Sequence, residues 1–159
     1  MNNNYTIAGT MSGTSLDGVD IAVLTTDGET QLIPGATSFT AYSDAQRSVL
    51  QSAFDAGARM RERTDRSGVI AEAEEIVTDV HIRALKHQID NSDQTIDHVG
   101  FHGQTIFHDP GRKLTVQIGD AQRIADELGV PVIYDLRQND VAHGGEGAPL
   151  APIFHAALV

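Results

Sequence analysis

Apolar positions alternate with small or polar ones over the N-terminal quarter of the chain, a period of two that predicts strands. The runs "YTIAGTM", "VDIAVLTT" and "QLIPGATSFTAYS" read as three successive strands with short links, hence an antiparallel meander, with Pro34-Gly35 marking a bend or an edge. In the second run Ile21, Val23 and Thr25 alternate with Ala22, Leu24 and Thr26, which predicts a strand buried on both faces. The period then lengthens. "SDAQRSVLQSAFDAG" opens with Ser43 and Gln46 at capping-box spacing and stops at Gly57. From about Thr64 to Ile89, apolar residues such as Ile70, Ala73, Val77, Val80, Ala84 and Leu85 recur at three- and four-residue steps, the stripe of a long amphipathic helix. Beyond it, "DHVGFHG" and "LTVQI" read as strands, and "DAQRIADELG" as a helix with Asp120 as N-cap and Gly129 past its end. "VPVIYD" reads as a buried strand, and "APLAPIFHAALV" opens another helix. The order β-β-β-α-α-β-β-α-β-α predicts an α/β chain with a mixed sheet and flanking helices.

Composition narrows function more than fold. A net charge of -11 argues against DNA, RNA or an anionic membrane as partner. Any phosphate would have to be held by local backbone dipoles, a metal or a few chosen cations, because the field of the whole chain repels it. The chain has no cysteine, which removes disulfides and thiolate metal sites and suits a reducing cytosol. No run approaches the roughly 20 apolar residues that span a bilayer, and "MNNNYTIAGTM" lacks the basic-then-apolar pattern of a leader. The expected location is cytoplasmic.

Three stretches could carry chemistry. "GTMSGTSLDGVDIAVL" places glycines, hydroxyls and acids between the first two strands. Gly13 and Gly18 have P-loop spacing, but Val19 and Asp20 stand where Lys and Ser/Thr should, and a strand follows instead of a helix. No Gly-x-Ser-x-Gly elbow occurs either. What remains is a strand-loop-strand phosphate cradle around Gly13, Thr14 and Ser15, with Asp17 or Asp20 toward a Mg²⁺ ion, or else a plain hairpin turn. In "GFHGQTIFHDPG", His102, Gln104 and Thr105 arrive where a strand should end, and their donors suit sugar hydroxyls. His102, His108 and Asp109 as a metal set is a weaker reading, since helical ligand spacing is missing. In "YDLRQNDVAHGGEGAPLAP", Asp135, Arg137 and Asp140 could fix a ligand carboxylate or phosphate, or Asp135 and Arg137 could simply pair with each other. Gly144, Gly145 and Gly147 imply close backbone approach or a hinge.

Taken in order, "GTMSGTSLDGVDIAVL", "GFHGQTIFHDP" and "TVQIGDAQRIADELGVPVIYDLRQNDVAHGGEGAPLAP" closely resemble the anhydro-N-acetylmuramic acid kinase family, with matched motifs from Gly9 to His155. The resemblance implies the actin/hexokinase/sugar-kinase fold (ribonuclease H-like), whose two lobes close on ATP and substrate. It implies ATP-dependent phosphorylation of 1,6-anhydro-N-acetylmuramic acid, with water opening the anhydro ring to give N-acetylmuramic acid 6-phosphate during cell-wall recycling. The ATP phosphate segment carries over to Gly13, Thr14, Ser15, Leu16, Asp17, Gly18, Val19 and Asp20, with Asp17 and Asp20 toward Mg²⁺. His102, Gln104, Thr105, Asp135, Arg137 and Asp140 would face the sugar and its lactyl carboxylate.

The family's chains are much longer, and their general-base aspartate lies in a later Gly-Phe-Asp-x-Gly-Pro-Gly-Asn segment that these 159 residues do not contain. The expectation is therefore an N-terminal lobe over residues 1–159, cut before its C-terminal lobe, without a catalytic residue of its own and inactive alone. The apolar ending Ala156, Ala157, Leu158 and Val159 fits a severed lobe and could invite a homodimer. The alternative is a non-catalytic sugar- or muropeptide-binding module of the same fold.

Overall fold

The computed structural model describes residues 4–157, so Leu158 and Val159 of the apolar ending lie outside the described residues. β1 (Tyr5–Ser12), β2 (Gly18–Thr26) and β3 (Leu32–Ala41) form the expected antiparallel meander. α1 (Asp44–Gly57) and α2 (Val69–Asp90) follow, then β4 (His98–Asp109), a 3₁₀ turn at Pro110–Arg112, and β5 (Leu114–Ile118). α3 (Ala121–Leu128), β6 (Val132–Ile133), α4 (Gln138–Ala142) and α5 (Ala151–Ala157) complete the order. The sheet runs β3-β2-β1-β4-β5, with β6 beside the first part of β4. β1 and β4 are parallel, as are β4 and β6, while the remaining neighbours are antiparallel. A meander joined to parallel strands, with helices against the sheet, is consistent with one lobe of the actin/sugar-kinase fold.

Local chemistry explains the helix boundaries. Ser43 accepts from the Gln46 amide while the Gln46 side chain accepts from the Ser43 amide, closing the capping box on α1. Asp120 caps α3 through the Arg123 amide, and Gly129 ends it at φ 65°. α2 starts at Val69, later than the apolar stripe suggests. Gly68 turns the chain at φ 57°, and the Arg66 guanidinium is drawn out of helical register to Glu74 and the Arg63 carbonyl.

α1 and α2 pack on each other and against one face of the sheet. Ala8, Val19, Ile21, Val23, Val99 and Phe101 point into that layer and meet Leu50, Val77, Val80 and Leu85. The reading of β2 as buried on both faces is corrected here: Val19, Ile21 and Val23 are buried, but Asp20 and Ala22 are exposed. Only the helix-covered face of β2 is shielded among the described residues. The "VPVIYD" strand is corrected likewise, since β6 has just two residues, and Ile133 and Tyr134 are more than half exposed. Among the described residues it pairs only with β4, and its other side faces solvent. α4 is a helix that the predicted order did not contain.

Gly57 sets how closely α1 approaches the sheet, because an added Cβ there would run into the Ile106 carbonyl. Gly57→Ala should lower stability by roughly 1–3 kcal/mol, read as a lower urea midpoint. At Gly13 an added Cβ would meet only Ser15 Oγ at 3.6 Å, so Gly13→Ala should leave the midpoint unchanged.

Candidate active site

β1 stops at Ser12 while β4 continues past it, leaving a cleft of about 340 Å³ at the carboxyl ends of the two parallel strands. That is where α/β sheets gather ligand groups. The cleft is lined by Ser12 at the end of β1, by Gly13 and Thr14 from the first loop, by His102, Thr105 and His108 from β4, and by Arg137 ahead of α4. A larger, more open hollow of about 690 Å³ adjoins it on the exposed sheet face and includes Asp20. Of the candidate site residues it takes only Asp20, whereas the narrower cleft brings together candidates from all three chemistry-bearing stretches, Gly13 and Thr14, His102 and Thr105, and Arg137.

The loop is pinned from both sides. Leu16 is buried with φ 54°, a left-handed conformation that costs a branched residue about 1–2 kcal/mol and is offset here by burial of its side chain. Its amide closes a turn onto the Gly13 carbonyl at 3.1 Å, and the Asp17 carbonyl accepts from the Tyr42 amide at 3.0 Å. The amides of Gly13, Thr14 and Ser15 have no acceptor among the described residues, as an anion nest requires. The Ser15 hydroxyl donates to Asp17 Oδ1 at 2.7 Å. That bond, followed by backbone amides, holds the Asp17 carboxyl below its ordinary range, so it is a carboxylate at neutral pH. Gly18 must be glycine, because a Cβ would strike the Thr40 carbonyl and the Phe39 ring. Val19 is core, and Asp20 stands exposed on the sheet face.

Gln104 does not face the cleft. Fully buried, it accepts from Ser12 Oγ at 2.5 Å and donates to the Gly13 carbonyl at 3.1 Å, while Tyr42 Oη lies 2.9 Å from Ser12 Oγ. His102 to Thr105 also do not end a strand, as the motif suggested. β4 bulges at Gly103 (φ 71°) and runs on to Asp109, because β5 gives its second half a partner.

His102 is nearly buried, with Nδ1 bonded to the Gly103 carbonyl at 2.8 Å and Nε2 accepting from Arg137 Nε at 2.8 Å. Nδ1 therefore carries the proton. Burial pushes His102 below the usual imidazole range, and the Arg137 cation adds to the effect. Arg137 Nη1 donates to the Gly147 carbonyl, leaving Nη2 without a partner among the described residues. Asp140 accepts from the Gly147 amide at 2.7 Å, and its carbonyl accepts from the Gly145 amide, so this carboxylate organises the glycine loop. Asp135 does not pair with Arg137. It sits in a separate cavity of about 100 Å³, where both its oxygens accept from Arg63 Nη2 at 2.5 Å.

The metal reading of His102, His108 and Asp109 fails on geometry. His102 is tied to Arg137, His108 Nδ1 lies 3.0 Å from Thr115 Oγ1, and Asp109 caps the 3₁₀ turn. No group of three or more His, Asp or Glu among the described residues is placed to hold a metal. Sequence reasoning missed Ser12, Tyr42, Arg63, Thr115 and Gln117. The alternation in "LTVQI" was the available signal for the last two: a short strand whose alternate positions are polar needs partners for them.

An α/β lobe with a mixed sheet, whose glycine- and hydroxyl-rich loop opens on a donor-lined cleft, is consistent with the class of actin/sugar-kinase-like folds. The family model for anhydro-N-acetylmuramic acid kinase matches residues 5–159. A protein of that name from Methylobacterium nodulans is 48% identical over 163 residues, covering 94% of this chain and 44% of the relative. Its namesake from Rhodopseudomonas palustris (strain BisB18) is 49% identical, over 96% of this chain and 43% of its own. The one from Agrobacterium fabrum is 48% identical, over 96% and 42%. This chain belongs to the anhydro-N-acetylmuramic acid kinase family. It spans somewhat under half the length of the curated relatives it matches. No helix among the described residues is long and apolar enough to cross a membrane.

Beneath the cleft, His81 is fully buried, stacks edge-on to Phe101 with ring centroids 4.9 Å apart, and donates from Nδ1 to the Val77 carbonyl. Burial pushes it down to about 4. Folded His81 and His102 thus refuse a proton that the unfolded chain accepts below about pH 6.5. The unfolded state then binds more protons, so stability is full above that pH and falls as the pH drops toward about 4. The loss is at most about 1.4 kcal/mol per pH unit for each group. Urea midpoints at pH 7 and pH 5 should differ accordingly, and His81→Leu should flatten the slope.

Proposed function

We propose that this chain is the phosphate- and sugar-binding half, the N-terminal lobe over residues 1–159, of an ATP-dependent kinase acting on 1,6-anhydro-N-acetylmuramic acid. The observation that carries this reading is the shared opening: Gly13 and Thr14 of the first loop and the wall of Thr105, His108 and Arg137 line one cleft. In this reading the free amides of Gly13, Thr14 and Ser15 receive phosphate oxygens. Arg137 Nη2 receives the lactyl carboxylate, and the Thr105 hydroxyl receives a sugar oxygen.

His102 and Gln104 act one step back. His102 aims Arg137, and Gln104 anchors the loop at Ser12 and Gly13. Leu16, Gly18 and Val19 fix the loop against the core. Asp140 shapes the glycine loop behind Arg137, and Asp135 holds Arg63. The donor set also fits Mg²⁺. An ion bound chiefly by phosphates and water needs one or two carboxylates, and Asp17 offers an ionised group whose second oxygen has no partner among the described residues, with Asp20 nearby in sequence. When bound, the ion neutralises charge on the phosphates.

The reaction of the whole enzyme is transfer of the γ-phosphoryl group to the sugar with water opening the anhydro ring, giving N-acetylmuramic acid 6-phosphate in peptidoglycan recycling in the cytoplasm. The cleft lining contains no Asp or Glu. The general base then lies outside this set, and the chain alone binds without appreciable turnover. The same fact favours a second reading, in which the lobe serves as a sugar-binding module without phosphoryl transfer.

Calorimetry on the 159-residue chain with the anhydro sugar and with Mg²⁺-ATP tests the proposal. Both should bind weakly. Arg137→Ala should weaken the sugar by roughly tenfold or more, as expected for a charged hydrogen bond, and Asp17→Ala should weaken the nucleotide. Unchanged binding in both variants would overturn the reading. Mass-spectrometric detection of the 6-phosphate after mixing sugar, Mg²⁺-ATP and chain would exclude the module and show that a base is present after all.

A further inference from the structure

The two histidines of the cleft are held in opposite tautomers, and only one of them is free to meet a ligand. His102 spends both ring nitrogens on the protein, Nδ1 on the Gly103 carbonyl and Nε2 on Arg137 Nε. His108 is exposed at the cleft wall and uses one nitrogen, Nδ1, against Thr115 Oγ1 at 3.0 Å. Which of these two atoms donates is settled by the residue behind them.

Gln117 Nε2 lies 2.8 Å from Thr115 Oγ1 and 3.1 Å from Thr105 Oγ1, while its Oε1 is buried without a partner among the described residues. The opposite amide orientation would bury both amide protons without acceptors, the less tolerable fault. Gln117 therefore donates to both hydroxyls. Thr115 is fully buried, so its own hydroxyl proton needs an acceptor, and His108 Nδ1 is the remaining partner of Thr115 Oγ1 among the described residues. Neutral His108 then carries its proton on Nε2. By the same logic the Thr105 hydroxyl, already accepting from Gln117, has its proton left for the cleft.

From this relay we infer that His108 is a ligand-contacting residue, donating from Nε2 to an anionic oxygen of the bound ligand, with Gln117 and Thr115 as positioning residues that fix its tautomer. The inference rests on the proposed function for the identity of the ligand, but not for the direction of the donor. The wall of the cleft then presents donors throughout: Thr105 Oγ1, His108 Nε2 and Arg137 Nη2. Such a wall recognises a carboxylate or phosphate oxygen and disfavours a cationic or donor-rich ligand. Protonation of His108 keeps Nε2 a donor and adds positive charge, whereas a proton on His102 Nε2 would break its bond to Arg137.

The test has two readouts on the full 159-residue chain. Long-range ¹H–¹⁵N spectra of the free protein should show His108 protonated at Nε2 and His102 at Nδ1. Thr115→Val should remove the His108 preference and leave that of His102 intact. A His108 protonated at Nδ1 in the free protein overturns the inference whatever binds. Calorimetry then uses 1,6-anhydro-N-acetylmuramic acid, its uncharged counterpart without the lactyl group, and Mg²⁺-ATP. His108→Ala should weaken one anionic probe roughly tenfold, the sugar acid if the partner oxygen is the carboxylate or the nucleotide if it is a phosphate, and should hardly affect the uncharged sugar. His108→Gln, which keeps a donor, should show only part of the loss. Wild-type binding that His108→Ala leaves unchanged for both anions overturns this inference alone. A wild-type chain that binds neither sugar nor nucleotide overturns the proposed function, and the contact at His108 with it.

Discussion

The amide of Gln104 joins the sheet to the loop, and the cleft depends on that joint. Its acceptor takes the Ser12 hydroxyl at the last residue of β1, and its donor takes the carbonyl of Gly13, the first residue of the loop. Tyr42, just past the end of β3, closes the group on Ser12, and burial pushes its hydroxyl above the ordinary phenol range, so it stays neutral. Three strands are thus locked at one buried polar point. A buried amide deprived of either partner would cost about 1–3 kcal/mol, which makes the arrangement all-or-none. The bulge at Gly103 serves the same joint. It lets β4 place Gln104 inward and Thr105 at the cleft wall, and only glycine fits, since a Cβ would stand 2.7 Å from the Ile118 carbonyl.

An acidic chain that binds anions needs its positive potential in one place. The net charge of -11 works against association at long range, but a field of this kind is screened beyond about 8 Å at physiological salt. Inside the cleft the nearest fixed charge is Arg137, and the carboxylates close to it in sequence are occupied elsewhere: Asp135 by Arg63, Asp140 by the Gly147 amide. Pairing these acids outside the cleft leaves its lining without a carboxylate. On the proposed reading, selectivity for anions is therefore built by removing acceptors as much as by adding donors.

The strands and helices could be read from the chain because their signals are local. Ser43 with Gln46, Asp120 and Gly129 each act within one turn, and the meander followed from period alone. What could not be read was which sheet face is covered. Leu24, Ile7 and Met11 are as apolar as Val23 or Ala8, yet they lie on the side that α1 and α2 do not reach. Hydrophobicity of a strand residue reports suitability for burial, not the presence of a neighbour. Of the residues the motifs singled out, Gly13, Thr14, His102, Thr105 and Arg137 do come together at the cleft. Their partners did not show, because the bonds from Arg137 to His102 and from Asp135 to Arg63 link residues 35 and 72 positions apart. His108 was weighed only as a metal ligand, since its tautomer depends on Thr115 and Gln117 across the β4–β5 pair.

On the proposed reading, a lobe with this cleft can recognise its ligands without transforming them. Phosphoryl transfer asks the protein mainly for alignment and charge stabilisation, and both reacting groups must be held at once. The loop at 13–17 offers three backbone amides to phosphate, and the β4 wall offers donors to the sugar. Neither removes a proton from an attacking oxygen. His102 would be the obvious substitute as a base, but its Nε2 lone pair is already taken by Arg137, and burial together with that cation lowers its affinity for a proton. His108 offers a proton where a base would need a lone pair. The same bonds that pre-organise the donors therefore keep either histidine from taking over the chemistry, and recognition and proton abstraction fall to different parts of the enzyme.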